Sequence, residues 1–377
     1  MTAAPSTTGV NAMVGERHEL PAIPVVRTGA NFPLETLQAE RARAMALLDA
    51  ATRGIPKSAL RVADRLSRIW LRRHANPHLD EIDQIAALVG RPGAHFLSVN
   101  YEWGCTTAAK PSPDGASARL VRVLDWRTRG LGRHVVAADV DGPGGRYLTL
   151  TWPGYTGVLQ AMAPGRFAAA LNQAPMRQPI GLLPLDWAVN RARVWGMPHP
   201  TSAHLLRQVM EQAATFEDAQ DMLTRTPVAA PAIYVLAGLT PDALVTIERL
   251  ETGHRVYEGH VCAANHWRTA VPADERAAAA VEALAEGAEA RVTGEDREAR
   301  AWQGRARGKV SATRASRMGA VDATWDDAFA WLAPPILNPT TRLAMVADAA
   351  QGRVIARGYE PDGVATAPLD VTLEVPR

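Results

Sequence analysis

The chain has 377 residues, 47% hydrophobic and 21% charged, which excludes a disordered polymer and allows one large core or two modest ones. Lys plus Arg number 41 and Asp plus Glu 39, so no basic balance points to nucleic acid, and two cysteines exclude a disulfide scaffold and a multi-cysteine zinc site. Glu16, Arg17, His18 and Glu19 stand where a signal peptide needs hydrophobes, and no run reaches the roughly 18 apolar residues of a membrane span, so a cytoplasmic protein is expected.

In chain order, residues 1–20 read as disordered. Leu34, Leu37, Ala44, Leu47 and Leu48 recur at helical spacing and predict one helix from Leu34 to Thr52. Further helices are predicted over Ser58–Arg73 and over Leu79–Val89, the latter stopped by Gly90. After Gly104 the pattern changes to short strand-like runs at Ala118–Leu124, His134–Val140, Arg146–Trp152, Gly157–Met162, Arg166–Leu171, Ala232–Ala237 and Leu244–Leu250. Helices are expected over Leu185–Val194, behind Pro184, and over His204–Thr226, with Thr215 as an internal cap. Ala273–Arg317 is rich in Ala, Glu and Arg and reads as an exposed helix plus a polar loop, a solvated surface insertion. Trp325–Leu332 reads as a helix, and Thr341–Val346 and Arg353–Gly358 as closing strands. Antiparallel strands with helices grouped between them predict a layered α+β fold; no βαβ rhythm or GxGxxG suggests a nucleotide-binding sheet.

Cys105 sits in Tyr101-Glu102-Trp103-Gly104-Cys105-Thr106-Thr107, where the helical region gives way to strands. A lone cysteine is usually a buried small hydrophobe. No GxSxG, HExxH or papain-like signature accompanies it. A different chemistry fits. If the bond between Gly104 and Cys105 is cut, the cysteine becomes a chain terminus. Its own α-amine, with a pKa of about 8, can then act as general base for its thiol. The small Gly104 leaves room for the strained N-to-S acyl shift.

Several segments resemble, in order, the N-terminal-nucleophile cysteine hydrolases of the acid ceramidase and N-acylethanolamine acid amidase group, related to bile-salt hydrolase and penicillin V acylase. Ser98–Glu102 resembles the stretch ahead of the family's nucleophile, and Cys105-Thr106-Thr107 its Cys-Thr-Ser. Arg122-Val123-Leu124-Asp125-Trp126 resembles its Arg-Asn-Met/Leu-Asp-aromatic, and Gly154-Tyr155-Thr156-Gly157 its Gly-Tyr-Val-Gly. Leu171-Asn172-Gln173 resembles Leu-Asn-Glu. Ala264–Trp267 and Asp274-Glu275-Arg276 resemble Thr-Asn-Tyr-Asp-x-Trp and Asp-Asp-Arg-Arg. The match runs from about residue 80 to the C-terminus.

The resemblance implies an αββα sandwich of two antiparallel sheets. It implies a precursor that splits into a helical segment, 21–104, and a catalytic one, 105–377, which stay associated. It implies Cys105 as nucleophile, Asp125 holding the freed amine, Arg122 favouring the thiolate, Asn265 directing its amide at the oxyanion, and Arg276 in electrostatic support. Asn172, Gln173, Tyr155 and Trp126 are the matched residues expected to face substrate. No cofactor and no metal are expected. The expected reaction is hydrolysis of a linear N-acyl amide. Transfer of the acyl group to an amine, and an uncleaved binding protein with an inert Cys105, remain open as alternatives. Gln173 departs from the family's glutamate, and the Asn265–Trp267 stretch is two residues shorter. Leu66, Ile69, Trp70 and Leu71 lie among arginines; such a helix can rest on a membrane, but packing against the larger segment is preferred.

Overall fold

Every residue of β3 (Ala118–Asp125) is buried, so this strand is covered on both faces and its alternate side chains serve two cores. Ala118, Leu120 and Leu124 join a large apolar core; Val121 and Val123 join a smaller one on the opposite face. The neighbouring β2 (Gly104–Pro111) divides the same way, with Cys105 and Ala109 on one side and Ala108 on the other. This is seen in a computed structural model of the chain, which describes residues 20–99, 103–268, 305–322, 324–325 and 329–376.

These strands lie in a seven-stranded sheet ordered β11 (Val261–Ala263), β2, β3, β12 (Thr341–Asp348), β13 (Arg353–Glu360) and β14 (Gly363–Val364), with β15 (Leu369–Thr372) also paired to β13. Facing it is an eight-stranded sheet. Its order is β1 (Val25–Thr28), β4 (Val136–Gly142), β5 (Gly145–Thr151), β6 (Gln160–Ala163), β7 (Phe167–Gln173), β8 (Ala232–Ala237), β9 (Leu244–Arg249) and β10 (His254–Glu258). Helices α1 (Phe32–Ala39), α7 (Ser202–Gln212) and α8 (Phe216–Arg225) pack on the eight-stranded sheet, and α9 (Arg305–Gly319) packs on β2 and β11. The layers therefore run helix, sheet, sheet, helix, as the expected sandwich requires. Helices α2 (Arg41–Ala51), α3 (Lys57–Arg73), α4 (Leu79–Val89), α5 (Ala94–Ser98) and α6 (Leu183–Gly196) complete the described chain. Among the described residues, no helix is long and apolar enough to cross a membrane.

Five expectations are corrected. The helix over Leu34–Thr52 breaks at Glu40, whose backbone leaves helical geometry while its carboxylate accepts from Arg43. The helix over His204–Thr226 is two helices, because Ala213 and Thr215 are extended and Thr215 forms a reciprocal capping box with Asp218. The segment before Cys105 is not purely helical: β1 joins the eight-stranded sheet, and its pairing with β4 is parallel. The described parts of Trp325–Leu332 are turns and bends, since Trp325 is held flat between the guanidinium groups of Arg119, at 4.2 Å, and Arg353, at 4.5 Å. The stretch read as a surface insertion ends in α9, where Ala315 and Met318 are buried and Lys110 Nζ caps the carbonyls of Gly319 and Val321. The rest of that stretch, and the disorder expected over 1–19, lie outside the described residues.

Buried polar groups fasten the segment before Cys105 to the rest. Glu81 on α4 pairs with Arg207 on α7, which also donates to Thr156 O at 3.1 Å and Ala30 O at 2.8 Å. Beside them the rings of His78 and His204 lie 4.7 Å apart. Asn76 Nδ2 lies 3.2 Å from His204 Nδ1 and donates to it, which leaves Nε2–H to donate to Thr156 Oγ1 at 3.0 Å. Burial, with the Arg207 charge, depresses His204 to about 3; burial, then His204 and Arg207, depress His78 to about 2. Both rings are thus neutral in the fold, while unfolded histidine protonates near 6.5. The folded state binds fewer protons below that value, so their contribution is complete above pH 6.5 and shrinks as pH falls. Each histidine is expected to cost about 2 kcal/mol of stability at pH 5. In urea titrations at pH 7 and pH 5, a His204→Gln variant should lose less stability than the parent by about that amount.

Candidate active site

Gly104 opens β2 and is the register partner of Asp125 at the end of β3. A Cβ on Gly104 would stand 3.3 Å from Asp125 Cβ and 3.5 Å from Asn265 Oδ1, so a side chain there would need Asp125 to give way by a few tenths of an ångström. The next residue, Cys105, is fully buried. Its thiol lies 3.0 Å from Arg122 Nη2 and 3.7 Å from the carbonyl of Leu171.

Strand alternation explains how Arg122 and Asp125 share this spot. Arg122 is the register partner of Thr107, two residues along β2 from Cys105, so all three side chains leave the sheet on one face. Asp125 is three residues further along β3 and leaves on the other face, beside Gly104. The Arg-x-x-Asp spacing thus sets a guanidinium against the sulfur and a carboxylate against the backbone just before it.

Arg122 is 1% exposed, and its charge is met on two of its three nitrogens. Nη1 donates to Asn172 Oδ1 at 2.9 Å and Thr107 Oγ1 at 3.3 Å; Nη2 reaches Leu171 O at 2.8 Å as well as the thiol. Nε is buried without a partner. Asp125 accepts from Asn338 Nδ2 and Thr341 Oγ1, each at 3.0 Å, and from Arg314 of α9.

The backbone on either side of Gly104 is also held. Gln173 Oε1 accepts the Trp103 N–H at 2.9 Å, and Asn265 Oδ1 accepts the Cys105 N–H at 2.8 Å. Asn265 Nδ2 donates to Gln173 O at 2.8 Å. The role expected of Asn265, its amide turned to an oxyanion, belongs to turnover. In the uncut chain its oxygen faces the Cys105 nitrogen and its amide hydrogens are engaged elsewhere, because a backbone N–H requires an acceptor and a carbonyl a donor.

Three residues expected to face substrate are placed otherwise. Asn172 is fully buried and its amide is committed to Thr107, Arg122 and Ala263 O, so it braces Arg122. Trp126 and Tyr155 stand in a row of rings, Trp103–Trp126–Trp152–Tyr155, with centroids 5.5, 5.7 and 6.1 Å apart. Edge-to-face packing draws them to one another rather than into the cleft. The cleft itself opens beside Gln173 and is lined largely by apolar groups, including Trp103, Met176, Trp187, Val194 and Ala229. Arg276 lies outside the described residues. Arg314, Asn338 and Thr341 were not anticipated; they come from distant segments and carry no local motif.

Burial pushes the Cys105 thiol up to about 11, with Arg122 pulling down and Asp125 pushing up. The sulfur is therefore protonated near neutral pH. Among the described residues no histidine bonds to it, and no group of three or more His, Cys, Asp or Glu could hold a metal ion. The arrangement sets a cation beside a buried thiol, an amide oxygen on its backbone nitrogen and a carboxylate beside Gly104. Among the described residues, Arg122 is the side chain within hydrogen-bond reach of the sulfur, and it is not a base.

No protein-family model matches the chain. It is 31% identical over 88 residues to acid ceramidase of Homo sapiens, covering 23% of this chain and 21% of that one, and 27% identical over 104 residues to acid ceramidase of Rattus norvegicus, covering 27% and 25%. The matched segments thus span about a fifth to a quarter of those relatives. Among solved structures, the Caenorhabditis elegans ortholog of N-acylethanolamine-hydrolyzing acid amidase superimposes with a TM-score of 0.47 at 19% identity, covering 71% of this chain and 100% of that one. Penicillin V acylase from Agrobacterium tumefaciens superimposes with a TM-score of 0.36 at 14% identity, covering 67% and 83%. The sequence match over 88 residues agrees with the resemblance read from the motifs: over that stretch the chain is similar to acid ceramidase.

Proposed function

We propose that this protein is a self-processing cysteine amidohydrolase that cleaves linear N-acyl amides. One observation carries the reading: side chains hold both the sulfur and the backbone nitrogen of Cys105, Arg122 at 3.0 Å and Asn265 at 2.8 Å. An inert core cysteine has no use for a buried guanidinium, whose desolvation costs several kcal/mol.

In the first event, Sγ attacks the Gly104 carbonyl carbon, the bond to the Cys105 nitrogen breaks, and that nitrogen takes the proton given up by the thiol to become a free amine. Water then hydrolyses the thioester and leaves a Gly104 carboxylate. In turnover, the amine takes the thiol proton as the sulfur attacks the substrate carbonyl, and returns it to the leaving amine. A second water hydrolyses the acyl-enzyme. Asp125 and Asn265 Oδ1 keep the amine in line, and Arg122 favours the thiolate. For Asn265 to serve the oxyanion as well, its amide must leave the Gln173 carbonyl. The apolar cleft beside Gln173 suits the acyl group. The segment before Cys105 stays bound through Glu81, Arg207 and the histidine pair.

The intact mass of purified protein tests the first event. Two fragments meeting between Gly104 and Cys105, absent from a Cys105→Ala control, are expected; a full-length chain at every pH from 4.5 to 8 would exclude the mechanism. In the mature enzyme, Arg122→Met is expected to lower kcat by about 100-fold or more with KM little changed, measured in steady-state assays with a chromogenic acyl amide. Met176→Trp narrows the cleft and is expected to shift kcat/KM toward shorter acyl chains by about tenfold across a chain-length series.

A further inference from the structure

One buried carboxyl faces inward from the eight-stranded sheet without touching Cys105. Glu248 on β9 is 5% exposed. Its register partner on β8 is Ile233, whose partner on β7 is Asn172. All three side chains therefore leave the sheet on the same face, toward the strand that carries Cys105. Glu248 Oε1 accepts the backbone N–H of Arg268, and Oε2 accepts the Tyr257 hydroxyl at 3.2 Å.

Arg268 belongs to the segment that carries Asn265. That segment is tied to the eight-stranded sheet at three points. Asn172 Nδ2 holds Ala263 O at 3.1 Å, Asn265 Nδ2 holds Gln173 O at 2.8 Å, and Glu248 holds the Arg268 N–H. The first two ties are between amide groups and do not titrate. The third does. The charged and titratable groups facing Glu248 are Arg255, its register partner on β10, then Tyr257, and Arg268, whose guanidinium lies 4.8 Å over the Tyr257 ring.

We propose that Glu248 is a positioning residue: its carboxylate fixes the end of the Asn265 segment, protonation loosens that end, and the placement of Asn265 against Cys105 follows pH. Burial raises the Glu248 carboxyl to about 7, against the Arg268 N–H, the Tyr257 hydroxyl and the two arginines. The folded protein keeps this proton between pH 4.5 and 7, where an exposed glutamate has lost it. Folding stability from this group is therefore present below 4.5 and declines as pH rises through 7. What is gained in exchange is a charge-assisted bond to the Arg268 N–H, stronger than one to a neutral carboxyl. The fold gives up some stability to tighten the segment at neutral pH and above.

The kinetic part of this inference rests on the amidase reading; the structural part does not. Hydrogen exchange at the Arg268 amide of the full chain, corrected for intrinsic rates, measures the tie directly. From pH 5.5 to 8.5, protection is expected to rise about fivefold around pH 7 and to stay flat in Glu248→Gln. In the same proteins, kcat/KM is expected to show a limb near pH 7 that Glu248→Gln lacks. Flat protection in the parent, or an unchanged rise in Glu248→Gln, overturns the proposal. Should Glu248→Gln fail to fold, Tyr257→Phe removes one donor from the carboxylate and must move the midpoint upward; an unmoved midpoint overturns it equally. If no acyl amide is turned over, the amidase reading falls and the exchange measurement still decides this one.

Discussion

A charged guanidinium in the interior must be met by acceptors, and Arg122 imposes that demand on the centre of this molecule. The cost of burying such an ion is several kcal/mol unless its hydrogens are engaged. Thr107 from β2, Asn172 and the Leu171 carbonyl from β7, and the Cys105 sulfur supply the acceptors. These groups come from both sheets, so satisfying one arginine fixes the distance and register between the two layers. Asn172 then passes the constraint on, because its other amide end holds Ala263 O and with it the strand leading to Asn265.

The second constraint is the protonated thiol. Burial alone pushes Cys105 far from a thiolate, and Arg122 only partly offsets this. A catalytic cysteine in such a place needs a base of its own, which the cut between Gly104 and Cys105 would create in place. The structure spends side chains on the backbone around that bond: Gln173 on one side, Asn265 on the other, and Asp125 alongside. The carboxylate of Asp125 is itself held by Arg314, Asn338 and Thr341, so helix α9 and the loop before β12 support the same point.

The segment before Cys105 is fastened by polar contacts as much as by apolar ones. The Glu81–Arg207 pair and the neutral histidine pair are both inside the interface it makes with the eight-stranded sheet and α7. Strand β1 adds backbone pairing to β4. A chain cut at Gly104 would keep all of these, since none crosses the bond.

The residue order by itself determined much of this protein. Alternation and turn residues marked most strands; β8 falls at Ala232–Ala237 and α4 at Leu79–Val89, as read. The order also singled out Gly104-Cys105, the Arg122–Asp125 spacing and Asn265, because backbone periodicity and short motifs are local properties. It could not show that Arg122 and Asp125 work from opposite faces of one strand, or that Asn265 presents its oxygen and not its amide to Cys105. It placed an exposed helix in the stretch that ends in α9 but did not show that Ala315 and Met318 are buried, since an Ala- and Arg-rich helix has no apolar stripe to announce a buried face. Arg314, Asn338, Thr341 and Glu248 stayed invisible for a related reason. Arg314, Asn338 and Thr341 act on Asp125 across 189 to 216 residues of chain and Glu248 on Arg268 across 20, and only strand pairing and the packing of loops and a helix on the sheets bring such groups within a hydrogen bond.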